Sequence, residues 1–107
     1  MLSGADGLVP GLGNVDPAGY VRLYEAARAG DWEAARREQD RLADLFTIVT
    51  CADPTKISGG AAGLGAFKSA LVELGVMESN TMSRPMVSLD DHAAASIRRI
   101  LERNGLL

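Results

Sequence analysis

The sequence predicts a mainly helical chain with a single strand-type segment near its amino end. Three observations lead there. Apolar residues recur at three- and four-residue spacing through four stretches that begin at Pro17. Cap and stop residues (Asp16, Gly30, Asp31, Gly75, Ser88, Gly105) fall where those stretches must start and end. Before them, Leu8 and Val9 are the only adjacent large apolar residues of a glycine-rich run, Gly4-Ala-Asp-Gly-Leu-Val-Pro-Gly-Leu-Gly-Asn-Val-Asp-Pro17.

That run reads as strand, turn and helix start. Pro10 has no N–H to donate and ends any ladder at Val9. Gly11 and Gly13 allow a tight turn or a close approach to a ligand, and Asp16-Pro17 pairs an N-cap with proline at the first helical position. Together they make one βα unit, the repeat of α/β barrels and doubly wound sheets. A lone strand cannot satisfy its own backbone groups, so this one needs a neighbouring strand from this chain or another.

The first helix runs from Pro17 to about Ala29, with Tyr20, Leu23, Tyr24 and Ala27 on one face, and Gly30 stops it. Residues 1–30 therefore form the strand–helix unit and residues 31–107 a helical segment. Asp31 caps a second helix from Trp32 to about Thr50, whose apolar positions are Trp32, Ala35, Leu42, Leu45, Phe46 and Val49. Its charged residues Glu33, Arg36, Arg37, Glu38, Asp40, Arg41 and Asp44 read as the opposite, solvated face, with Glu33–Arg37 and Arg36–Asp40 as four-apart pairs. A loop over 52–60 leads to a third helix from Ala61 to Leu74, with Leu64, Phe67, Leu71 and Leu74 as its packed face. After a turn-rich connection from Val76 to Val87, Ser88 caps the last helix, which buries Ala94, Ile97, Ile100 and Leu101.

Composition narrows the function classes. The 107 residues are 47% hydrophobic with a net charge of -3, which suits a packed protein and offers no electrostatic footprint for nucleic acid or an anionic membrane. No run approaches the roughly 20 apolar residues that span a bilayer, and the amino end has no signal-peptide pattern. One Cys and one His cannot make a four-ligand zinc site or an internal disulfide. A reduced, cytoplasmic setting without cofactor or metal is the expectation.

Motif-like fragments are incomplete. Gly60-Ala-Ala-Gly-Leu-Gly65 has phosphate-loop glycine spacing, but Ala66 stands where the lysine is needed. Gly11-Leu-Gly13 lacks the third glycine of a dinucleotide fingerprint. His92 reads as a solvated residue, Cys51 as a small hydrophobe, and Lys68 as a structural or surface lysine of an amphipathic helix.

Taken together, Gly4-Ala-Asp-Gly-Leu-Val, Gly13-Asn-Val-Asp-Pro17, Leu23-Tyr-Glu-Ala-Ala27, Gly30-Asp31, Phe67-Lys-Ser-Ala-Leu71, Leu74-Gly75, Arg84-Pro-Met86 and Asn104-Gly-Leu-Leu107 resemble, in order and spacing, the C-terminal portion of the dihydrodipicolinate synthase and N-acetylneuraminate lyase family. Members are class I aldolases on a TIM (β/α)8 barrel, so the resemblance implies the last βα unit of a barrel followed by a three-helix segment. It implies a lyase that condenses or cleaves a 2-oxo acid of pyruvate type, with an aldehyde partner, through a Schiff base on a lysine of the sixth strand. That strand has no counterpart here, so no catalytic residue carries over and the 107 residues alone are expected to be inactive. The position matching Val9 lends backbone near the bound 2-oxo acid, which makes Val9, Pro10 and Gly11 the substrate-binding candidates at the C-terminal strand end, where such sites lie. Pro10, Gly11 and Leu12 depart from the small or hydroxyl-bearing residues common there.

A rival reading is a non-enzymatic helical interaction module. Faces such as Tyr20, Leu23 and Tyr24, suited to covering strands, predict a homo-oligomer, with Leu8-Val9 pairing between chains.

Overall fold

Four helices form where the periodicity places them. In the computed structural model, which describes residues 1–107, they are α1 (Pro17–Arg28), α2 (Trp32–Phe46), α3 (Gly59–Glu73) and α4 (Asp91–Arg103), with short 3-10 turns at Gly11–Asn14 and Thr47–Thr50. The boundary residues act as their chemistry dictates. The carboxylates of Asp16, Asp31 and Asp90 accept from the backbone N–H of Gly19, Ala34 and Ala93, and Gly30, Gly75 and Gly105 end helices at φ near +73°.

α1 and α2 form an antiparallel hairpin, while α3 lies against α4 and the Thr47–Thr50 turn. The core joins Leu12 and Val15 of the first turn to Leu42, Leu45, Ile48, Leu89, Ile97 and Leu101. No helix is long and apolar enough to cross a membrane.

Four expectations are corrected. The strand at Leu8-Val9 does not form: the chain has no ladder, residues 5–9 make no backbone–backbone hydrogen bond, and Val9 is fully exposed. A strand is stabilised by its neighbour, and no second strand exists among these residues to supply one. The glycines at 59 and 60 belong to α3, not to the preceding loop.

The packed face of α3 is its small-residue face, Ala62, Ala66, Ser69 and Ala70, because those side chains let the helix approach its neighbours closely. Phe67 and Leu74 only edge the core, and Leu64 is 54% exposed. Ser88 does not cap α4. Its hydroxyl accepts from the N–H of Met82, pinning the connection, and Asp90 caps instead.

The chain is more open than its length requires. Its radius of gyration is 14.8 Å, against about 13 Å for a globule of this size. Its accessible surface is 6645 Å², against roughly 5,700 Å² expected for a monomeric protein of 11.3 kDa. The excess, about 900 Å², is close to one partner's share of a standard protein interface. Among the exposed large hydrophobics, Leu2, Val9, Val21, Leu64 and Val76 are more than half exposed.

Candidate functional site

The largest concavity, an open groove of about 1010 Å³, runs between residues 6–10 and the outer face of α1. Val9, Pro10, Tyr20, Val21 and Tyr24 line it, with Glu25 and Arg28 at its charged end. Two of the three candidate wall residues therefore share it. Gly11 does not: a Cβ there would stand 3.0 Å from Phe67 Cε2, so its missing side chain seats the turn on α3.

The turn that follows is internally tied. The N–H of Gly13 donates to Pro10 O at 3.0 Å, Asn14 Nδ2 to Gly11 O at 2.9 Å, and the N–H groups of Val15 and Asp16 to Leu12 O. Leu12, 1% exposed, nails the unit to the core. Tyr20 packs beside Gly13, and burial, with the nearby Asp16 charge second, pushes its phenol above the usual range.

Behind the turn lies a cluster the sequence reading missed. Asp16, buried, pairs with Arg41 of α2; Arg41 also holds Glu38 Oε1 through Nε at 2.9 Å and Nη2 at 2.5 Å; and Arg22 of α1 reaches Glu38 at 2.9 Å. Burial alone would raise the Glu38 carboxyl, but the hydrogen bonds from Arg22 and Arg41 outweigh it and lower its pKa. Arg41 is likewise lowered by burial and raised, on balance, by hydrogen bonds to Glu38 and Asp16. A signal for this existed: Ala35, Glu38, Leu42 and Leu45 follow three- and four-residue spacing, so Glu38 occupies the apolar stripe and not the solvated face. Of the two expected surface pairs, Glu33–Arg37 forms at 2.6 Å, whereas Arg36 and Asp40 do not pair.

The remaining reactive groups are spread apart. Lys68 Nζ donates to Thr81 O at 2.7 Å, and His92 is exposed on the first turn of α4. Burial pushes the Cys51 thiol up against a weaker pull from Arg99, which disfavours a thiolate. No group of His, Cys, Asp and Glu side chains is arranged to hold a metal. The groove's lining is more apolar than polar, carries Asp6, Glu25 and Arg28 as its charged residues, and contains no lysine.

Comparison with known proteins decides the lineage. Residues 1–104 match the dihydrodipicolinate synthetase family. The chain belongs to that family. It is 27% identical over 104 residues to a 4-hydroxy-tetrahydrodipicolinate synthase of Desulfotalea psychrophila, covering 97% of this chain and 32% of that protein. It is 29% identical over 103 residues to the enzyme of the same name from Parabacteroides distasonis, covering 96% and 31%. Over 68 residues it is 40% identical to that of Xanthomonas campestris pv. campestris, covering 61% and 22%. The chain thus spans about a third of the length of the curated relatives it matches. A lyase-family lineage follows from these matches.

Proposed function

We propose that these residues supply the last strand–helix unit and the C-terminal helices of a Schiff-base lyase that joins or cleaves a pyruvate-type 2-oxo acid, with an aldehyde as its partner. In this reading the Leu8-Val9 segment becomes a strand when a neighbouring barrel strand pairs with it. Val9 and Pro10 then wall the 2-oxo acid, and Gly11, seated on Phe67, lends backbone only. The amine that forms the Schiff base comes from polypeptide outside these 107 residues, so the chain alone is catalytically silent.

The observation that carries the reading is the family match along residues 1–104 at a third of the relatives' length. The unpaired backbone of residues 5–9, lying beside an open groove, supports it. Borohydride reduction of the chain in the presence of pyruvate, read by intact mass, tests the silence: the expected result is no reduced pyruvyl adduct. An adduct on Lys56 or Lys68 would overturn the assignment of the amine.

A second reading is favoured by the roughly 900 Å² of surplus surface together with exposed large hydrophobics such as Leu2, Val9 and Val76. It makes the chain a self-associating helical module. Light scattering across a dilution series separates the two: a compact monomer at every concentration removes the second reading.

A further inference from the structure

We propose that Arg41 is a positioning residue for the 9–15 turn, acting through the Asp16 carboxylate; its meaning for substrate rests on reading Val9–Gly11 as a site wall. Asp16 divides its two oxygens. Oδ1 accepts from the N–H of Gly19 at 2.9 Å and starts α1, while Oδ2 takes Nη2 of Arg41 from α2. The N–H of Asp16 is tied back to Leu12 O at 3.1 Å, and the same turn is closed by Gly13 N–H on Pro10 O. A displacement of the Asp16 carboxylate therefore passes through short, hydrogen-bonded backbone to Pro10, the residue to which Val9 is joined.

Arg41 is itself fixed in place. Glu38 orients its planar fork from the same helix, and Arg22 orients Glu38 from the facing one. Side-chain exposure is 9% for Asp16, 16% for Glu38 and 24% for Arg41, so the cluster escapes most of the screening that makes surface pairs weak.

Gly19 records the same geometry. Glycine is a poor helix former, yet it stands in the first turn of α1, where a Cβ would run into both Arg41 Nη2 and Asp16 Oδ2. A side chain at this position would force the Arg41 and Asp16 groups to shift.

Amide hydrogen exchange on the full 107-residue chain, resolved by residue, tests this. Arg41→Met should speed exchange at Gly13, Val15 and Asp16 at least tenfold while Ile97 and Leu101 in α4 keep their protection. Arg41→Lys should restore part of the protection, since it keeps the charge and loses the fork. Gly19→Ala should loosen the same amides with every charge still present, and Arg37→Met should change none of them. Equal acceleration in α4 would make Arg41 a general stabiliser and overturn the proposal, as would unchanged exchange at residues 13–16. Should Arg41→Met fail to fold, Gly19→Ala and Arg41→Lys decide on the same criteria. These rates need no 2-oxo acid, so a failed clamp is separable from a failed wall, which would show instead in pyruvate chemistry.

Discussion

Leu45, Ile48, Ala66, Ala70, Ile97 and Leu101 lose all contact with water, whereas Leu2, Leu8 and Val9 remain 82%, 39% and 103% exposed. The two regions have similar residue types and differ in where their partners lie. In residues 45–106 each helix satisfies its own backbone and needs only one apolar face covered, which the other helices do. In residues 1–16 a strand-type segment must find both backbone and side-chain partners elsewhere, and residues 5–9 find no backbone partner while the turn from Pro10 onward does. The chain belongs to a family whose matched members are about three times as long, and it is the first region, not the second, that lacks partners here.

The contrast predicts a steep gradient of mutational effects. Ile97→Ala or Leu101→Ala should cost about 2–5 kcal/mol in urea unfolding, because each empties a fully buried site. Gly65→Ala should cost about 1–3 kcal/mol, since the new methyl meets buried Leu89 Cδ1. Gly63→Ala, two residues earlier in the same helix with open space around it, should stabilise by about 1 kcal/mol. Equal effects at the two glycines would break the account of α3 packing through its small face. Val9→Ala should change stability by under about 0.5 kcal/mol, because the side chain touches no core.

Acid sharpens the comparison by acting on the ties of α2 to α1 and to the end of α4. The carboxyl of Glu38 is held below its ordinary value despite burial, by Arg22 and Arg41, and that of Asp44 chiefly by hydrogen bonds from Arg103 and Asn104. Both are depressed, so their contributions are present above the unfolded pKa of about 4 and vanish as pH falls through the folded values. Thermal midpoints should be flat from pH 7 to 5 and fall below pH 4. A midpoint that rises on acidification would contradict the pairing.

The helices were legible because their information is local. Asp16-Pro17, Gly30-Asp31 and Gly75 mark ends by backbone chemistry that neighbours cannot override. What sequence reading missed depends on distance. Leu64 and Phe67 look like a core face until Ala62, Ala66 and Ala70 prove the closer fit, and Glu38 and Arg41 look solvated until Asp16, more than twenty residues earlier, folds onto them. Ser88 has good capping chemistry, but Met82 claims its hydroxyl first. Of the wall candidates, Val9 and Pro10 share the groove while Gly11 serves packing, a division that no local pattern encodes.

The most direct test of the central claim is the intact mass of the polypeptide that carries this sequence as it accumulates in its source cells. The account predicts a chain about three times as long, in proportion to the relatives, with residues 1–107 forming its last third. A 107-residue polypeptide as the sole product, monomeric and with Leu8 and Val9 amides fully exchanging, would contradict it.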